Sequence, residues 1–273
     1  RSIVGYEHVL IDVSNGVGTI TLNRPDKLNS FAGGMRQEIA EAVNKLSGDD
    51  GVRVMVITGA GRGFCTGADV GYLKQLLDAG AEDELRALVD AGREVVSRIR
   101  RTPQPVIASV NGPAAGGGAN LALACDIRIA SDRASIGQTF NRIGLHPDWG
   151  GTFFLPRLVG PAIAAELIFS ARMVDAQEAL RLGIFNRVVT HDKLAEETRA
   201  LAETLAAKPR LPLALAKEAI NRSLSSSLGQ MLDYELDAQL RCARSPDALE
   251  GIAAFVEKRE PRFESTRGAG GAG

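Results

Sequence analysis

The sequence predicts an α/β protein whose core of short strands and helices is followed by a helical C-terminal region. Up to about residue 190, short apolar or β-branched runs take turns with segments of helical spacing. From Lys193 onward nearly every segment has helical spacing. An Asn-Gly pair between two alternating runs near the start adds a hairpin.

That hairpin joins His8–Val13 to Gly18–Asn23 through Ser14-Asn15-Gly16, and Arg24-Pro25-Asp26 stops its second strand. Met35–Leu46 follows as a helix with Ile39, Val43 and Leu46 on one face. Val52–Thr58 is a buried strand by its β-branched content, and Gly59–Gly67 is a loop. Val70–Leu77 and Glu84–Arg100 read as helices; the prolines of Arg101–Pro105 end the second. Val106–Val110 is a strand, Leu121–Cys125 a helix and Ile127–Ala130 a strand, while 137–154 reads mostly as loop. Ala162–Phe169 is a helix, and Asp175-Ala176-Gln177-Glu178 is a capping-box pattern opening another that ends at Gly183. Phe185–Val189 is a strand. Helices follow at Ala195–Ala207, Pro212–Ser223, Met231–Arg241 and Ser245–Glu257. The chain therefore divides into a core over 1–192, a helical region over 193–267 and a low-complexity tail over 268–273, expected to be disordered.

At 273 residues the chain can bury a sizeable core, and 45% apolar with 24% charged residues is ordinary for a globular protein. Lys plus Arg (32) nearly balances Asp plus Glu (33), which argues against nucleic acid as a partner. Three widely spaced cysteines, Cys65, Cys125 and Cys242, read as reduced thiols in a cytoplasmic protein. The longest apolar region, Pro105–Ile127, is broken by Asn111, Asn120 and four glycines, so no membrane span is expected. His8, His146 and His191 show no metal spacing, and no metal site is expected. Gly59-Ala60-Gly61-Arg62-Gly63 follows a strand but lacks the last glycine of a dinucleotide fingerprint, because Phe64 stands there.

The segment Asn111–Asn120, NGPAAGGGAN, carries the clearest chemical signal. Packing alone does not call for three consecutive glycines. They strip every Cβ from a place where a helix begins, so backbone N–H groups can approach an oxygen that gains negative charge.

Five ordered blocks give this signal a family. They are ITLNRPDKLNSF (20–31), VMVITGAGRGFCTGADV (54–70), PVIASVNGPAAGGGANLALACDIRIAS (105–131), GLHPDWGGTFFLPRLVG (144–160) and SARMVDAQEALRLGIFNRVV (170–189). Together they resemble the enoyl-CoA hydratase/isomerase (crotonase) superfamily over nearly the whole chain, closest in motif to the isomerase-like members of the phenylacetate route. The resemblance implies a crotonase-like spiral of ββα units with a helical region that builds homotrimers or dimers of trimers. It implies an acyl-CoA thioester substrate, coenzyme A being part of that substrate and no separate cofactor being needed. It places the two thioester-oxygen donors at the N–H groups of Ala68, in Gly67-Ala68-Asp69, and Gly117. It assigns Lys27 to a coenzyme A phosphate, Asp69 to the substrate-binding turn, and Phe255 and Lys258 to a neighbouring subunit's coenzyme A.

The chain departs from the hydratase pattern at both acidic positions. Asn120 stands three residues after the donor glycine where hydratases carry one glutamate, and Phe140 replaces the other. Asparagine can orient water but is no base near neutral pH, and phenylalanine does neither. A carboxylate does occur in Gly144-Leu145-His146-Pro147-Asp148-Trp149-Gly150, where hydratases carry glycine in place of Asp148. One carboxylate suffices to isomerise an enoyl thioester, taking a proton from the α-carbon and returning it at the γ-carbon. Trp149 and Phe140 are the apolar neighbours expected to raise its pKa, and His146 is expected to position it or carry a second proton. Hydration by Asp148 with water oriented by Asn120, binding with little catalysis, and displacement at an aromatic ring with Asp148 as nucleophile stay open. The stretch Tyr72–Glu84 is expected to shape the acyl pocket.

Overall fold

The computed structural model describes residues 2–3 and 5–266; the tail expected over 268–273 lies outside the described residues. In chain order the strands are β1 (Ser2–Ile3), β2 (Val9–Ser14), β3 (Val17–Leu22), β4 (Val54–Gly59), β5 (Val106–Val110), β6 (Ala114–Ala115), β7 (Ile127–Ser131), β8 (Ser135–Gly137), β9 (Met173–Asp175) and β10 (Arg187–Val189). The helices are α1 (Met35–Ser47), α2 (Val70–Asp78), α3 (Glu82–Arg101), α4 (Gly117–Ala124), α5 (Gly151–Val159), α6 (Pro161–Ser170), α7 (Ala176–Arg181), α8 (Leu194–Ala206), α9 (Arg210–Ser223), α10 (Leu228–Ala243) and α11 (Pro246–Glu257).

The main sheet has the order β1-β2-β3-β4-β5-β7-β10. The hairpin β2–β3 turns at Asn15 and Gly16, both at positive φ, as its Asn-Gly pair requires. From β3 to β10 the pairing is parallel, so each step needs a crossover, and α1, α3 and α4 supply the first three. A second, three-stranded sheet, β6-β8-β9, stands beside it. Parallel strands are covered on both faces, which explains why β5 is buried at every residue. One face packs on Ile39, Val43, Leu46, Val95, Ile99 and Leu121 from α1, α3 and α4. On the other, Val54, Val56, Ile107 and Ile129 meet Leu194, Ala202 and Ala206 of α8. The first helix of the C-terminal region, α8, is thus itself a layer of the sheet core.

Two differences from the sequence reading have physical causes. The stretch 137–154 holds the last residue of β8, a 3-10 turn at Thr139–Ile143 and the start of α5, a helix disguised by the glycines before it and by Pro156 within it. The capping box at Asp175 is half built. Its carboxylate accepts from the Glu178 N–H at 2.8 Å, whereas the Glu178 side chain turns to Arg172. Beyond α8, buried Lys217 of α9 donates to the carbonyls of Ile99 and Gln104, each at 2.9 Å, and pairs with Asp126 at 2.8 Å. Leu228, Leu232, Leu236 and Leu240 then form an exposed stripe along α10 at helical spacing.

Candidate active site

Two glycine turns meet where the β4 and β5 loops leave the sheet. Gly67 has φ +81, and a Cβ on it would stand 2.8 Å from the Ala115 carbonyl and 3.2 Å from the Gly117 nitrogen. The turn carrying Ala68 therefore presses against the N-terminus of α4. Parallel bridges Phe31–Ala68 and Cys65–Ala114 lock the two in register. Around them the Phe31 N–H bonds the Gly67 carbonyl and the Asp69 N–H bonds the Phe31 carbonyl. Neither the Ala68 nor the Gly117 N–H has a backbone or side-chain acceptor among the described residues. Gly117 opens α4, so the helix dipole adds to its pull on an anion.

The three glycines divide the work, which corrects the expectation that packing does not account for them. Gly116 is needed for its φ of +53. A Cβ on Gly118 would run into the Cys65 carbonyl, so that glycine is a packing requirement. Gly116 and Gly117 line the cavity, and since the Gly116 N–H is taken by the Gly137 carbonyl, Gly117 is the one that offers a free donor there; its Cβ position is bounded by the Phe31 ring edge at 3.2 Å.

Asp148 lines a cavity of about 760 Å³ together with Ala68, Gly117, Phe140, His146 and Trp149. It is the cavity's only carboxylate among the described lining residues. Its loop is held in an unusual backbone shape. Trp149 and Gly150 are both left-handed, with φ of +50 and +78. For tryptophan that shape costs about 1 kcal/mol or more. Packing over-determines it: the indole stacks on Phe31 with ring centroids 4.6 Å apart and planes 7° from parallel. It also fills the space left by Gly92 of α3, where any Cβ would overlap it. The Asp148 carbonyl accepts from the Asn120 amide at 2.8 Å and from the Gly151 N–H at 3.0 Å.

Burial pushes the Asp148 carboxyl up to about 6, against the opposing pull of Arg36, its own backbone N–H and His146. Its Oδ1 is buried without a hydrogen-bond partner. Arg36 is the cavity's buried cation, 5% exposed, with its guanidinium 5.0 Å from the Phe31 ring centroid. Its Nε and Nη1 are likewise unpartnered, and burial lowers its pKa while Asp148 raises it. Sequence reasoning missed Arg36, although a signal existed. Residues 36, 39, 40 and 43 share one face of α1, so the arginine belongs on the buried side.

The other expected site residues are scattered. Asn120 is fully buried outside the cavity lining, its amide oxygen accepting from Gln138 at 2.6 Å and its nitrogen holding the Asp148 carbonyl. Asp69 caps α2, accepting from Gly71 and Tyr72 N–H at 3.1 and 3.3 Å and pairing with Arg24 at 3.4 Å. Burial would raise its pKa, but those N–H groups and Arg24 hold it below the ordinary value. Lys27 is exposed in the turn Pro25–Lys27, and Phe255 of α11 is 86% exposed. Lys258 ends α11 in a left-handed conformation. None of these three lines the cavity. His146 is at the cavity mouth, its Nδ1 2.7 Å from the Pro147 carbonyl oxygen. Of the stretch Tyr72–Glu84, only Leu73 reaches the cavity, while Leu85, Leu88 and Val89 of α3 supply more of its wall. Cys65 and Cys125 are buried thiols pushed up to about 12 by burial. No metal-binding cluster of His, Cys, Asp or Glu occurs among the described residues, and no described helix is long and apolar enough to cross a membrane.

With this geometry in place, comparison with known proteins is informative. Residues 12–266 match the model of the enoyl-CoA hydratase/isomerase family. A 1,2-epoxyphenylacetyl-CoA isomerase of Escherichia coli is 41% identical over 258 residues, which is 94% of this chain and 98% of the relative. A crotonyl-CoA hydratase of Syntrophomonas wolfei is 35% identical over 263 residues, 96% of this chain and 100% of the relative. Among solved structures, an enoyl-CoA hydratase from Bacillus anthracis superposes with a TM-score of 0.89 at 37% identity, covering 95% of this chain and 100% of that one.

Proposed function

The chain belongs to the enoyl-CoA hydratase/isomerase family and has its crotonase fold, and from that premise we propose that it is an enoyl-CoA isomerase with Asp148 as its single acid and base. One observation carries the reading. Asp148 is the lone carboxylate among the described residues that line the cavity, has no side-chain hydrogen-bond or ion-pair partner among them, and has its carboxyl raised by burial to about 6. A group poised there is ionised at neutral pH yet reprotonates readily, as a proton shuttle requires.

The chemistry follows from the two walls. With a 3-enoyl thioester in place, the Asp148 carboxylate takes a proton from the α-carbon. The electron pair moves into the thioester, and the enolate oxygen is held by the Ala68 and Gly117 N–H groups. The electrons then return as the double bond shifts to the 2,3-position, and the Asp148 carboxylic acid delivers its proton to the γ-carbon. The net result is migration of one double bond and an enzyme restored to its starting charge. A donor pair of this kind is worth about 3–4 kcal/mol per donor, and acid–base help about 10²–10⁴ in rate.

The 41% identical ring-epoxide isomerase supports this choice, since it too rearranges an acyl-CoA. Hydration with Asn120 as the water-orienting group is the weaker reading, because Asn120 is buried away from the cavity lining and engaged with Gln138 and Asp148. The exposed leucine stripe of α10 and the outward Phe255 support assembly into a trimer or a dimer of trimers, in which Phe255 and Lys258 reach a neighbour's coenzyme A. Lys27, exposed on its turn, fits a phosphate contact.

The test is spectroscopic. A 3-enoyl-CoA should gain the absorbance of the conjugated thioester, crotonyl-CoA should persist, and Asp148→Asn should lose the isomerisation by about 10²–10⁴. Rapid consumption of crotonyl-CoA would replace the isomerase reading by hydration. Isomerisation retained in Asp148→Asn would remove Asp148 from the mechanism.

A further inference from the structure

The acyl cavity is apolar over most of its wall, with Leu73, Leu85, Leu88, Val89, Ile143 and Leu145 among its lining. Into this wall the fold sets a guanidinium. Arg36 is 5% exposed, lines the cavity, and has Nε and Nη1 buried without partners. It acts on Asp148 only through space, and the Asp148 Oδ1 is itself unpartnered. Those two nitrogens have no open surface, so a ligand reaches the guanidinium through Nη2, which is neither closed off nor hydrogen-bonded among the described residues; a plain hydrocarbon chain would strip water from it and return no acceptor, the costly arrangement for a charged group. Arginine has only donors, so its missing partner must be an acceptor.

We propose that Arg36 is a specificity residue that donates to a neutral acceptor oxygen, a carbonyl, hydroxyl or ether, on the acyl group beyond the thioester. The substrate class is thus an oxygen-bearing enoyl-CoA. A neutral oxygen is preferred to a carboxylate because the ionised Asp148 lines the same cavity, and a second buried anion would be repelled by it. The phenyl face of Phe31 beneath the guanidinium keeps the cation in place, leaving Nη2 for the ligand. This inference rests on the reading of the cavity as an acyl-CoA site, but it does not depend on which reaction Asp148 performs.

Binding of unreactive saturated thioesters separates the two questions. Calorimetric titration would compare hexanoyl-CoA, 4-oxohexanoyl-CoA, 5-oxohexanoyl-CoA and adipyl-CoA against the wild-type protein and Arg36→Met. At least one oxo compound should bind the wild type about tenfold more tightly than hexanoyl-CoA, the low end for a hydrogen bond to a charged group. Arg36→Met should lose that preference while binding hexanoyl-CoA at least as well as the wild type. Equal wild-type affinity for the oxo compounds and hexanoyl-CoA would overturn the proposal, even if Arg36→Met did not fold. A preference that survives in Arg36→Met would also overturn it, and adipyl-CoA binding tightest would overturn the neutral-oxygen assignment. Failure of every thioester to bind would instead reject the cavity as an acyl-CoA site.

Discussion

The cavity lining is built from two materials, a backbone wall and a side-chain wall. In the first, Ala68 and Gly117 offer main-chain donors, fixed by a β-bridge, a left-handed Gly67 and the start of α4. In the second, Asp148 and Arg36 offer charged side chains whose state depends on burial and on each other. The first wall is nearly indifferent to pH and side-chain chemistry. The second is tunable, and its tuning rests on residues outside the cavity lining: Asn120 and Gln138 behind the loop, and Gly92 beneath Trp149. The backbone wall thus depends on chain geometry alone, while the side-chain wall depends on which residues stand at 36 and 148.

The largest effect expected of the backbone wall comes from removing a main-chain donor. Gly117 is the first residue of α4, a position where proline is tolerated because the N–H has no helical partner. Gly117→Pro should therefore keep the fold while kcat falls by about 10²–10³. Circular dichroism and steady-state kinetics check the two halves. An unchanged kcat would mean that the enolate oxygen is held elsewhere.

Next comes the stability stored against function in the side-chain wall. The Asp148 carboxyl titrates near 6 in the folded protein, above its ordinary value of 3.8. The folded state therefore prefers the proton. Below the unfolded value the group is neutral in both states and costs nothing through ionisation. The cost grows as pH rises between the two values and is full above about 6. Two units correspond to about 3 kcal/mol, taken as an upper figure for a partly buried group. Asp148→Asn should be more stable than the wild type at pH 8, by up to about 3 kcal/mol, with the advantage gone near pH 3. Denaturant titrations at both pH values measure this. A variant less stable at pH 8 would show that the buried carboxylate is compensated.

These effects also explain what the sequence could reveal. Gly67 and Gly117 were legible because main-chain donors need glycine turns after strands, and that requirement is local. Asp148 stood out as a carboxylate in a loop where both usual glutamates were missing. The role of Asn120 was not legible, because whether an amide faces a cavity or the back of a loop depends on the chain 28 residues away. Arg36 was overlooked although the α1 periodicity points it inward, since arginines on amphipathic helices usually face solvent. Gly92 lies mid-helix in α3 and has meaning only once Trp149 is placed against it.

Gly92 offers a smaller test of that last contact. Alanine is the better helix former by about 1 kcal/mol, so an unconstrained helix would gain stability from Gly92→Ala. Here the new methyl would overlap the indole and displace Trp149 from its stack on Phe31. The expected outcome is a net loss of about 1–3 kcal/mol, with a change in Trp149 fluorescence, the chain having a single tryptophan. A stabilised variant with unchanged emission would show that the loop does not lean on α3.

The smallest effect is on a pH profile, and it bears on how the two charges share the wall. Activity that needs the Asp148 carboxylate should rise with pH through about 6 and then level off. Burial raises that midpoint, while Arg36, the Asp148 N–H and His146 oppose it. Removing the guanidinium in Arg36→Met deletes one opposing influence, so the acidic limb should move to higher pH, as read from log(kcat/KM) for a 3-enoyl-CoA. His146→Gln should move it in the same direction by less, since His146 is the smaller influence and contributes only when protonated. Salt should blunt the histidine effect more than the arginine effect, because His146 is exposed and Arg36 is buried. A limb that stays in place in Arg36→Met would assign the tuning to burial alone, leaving Arg36 to act on the ligand and not on the acid.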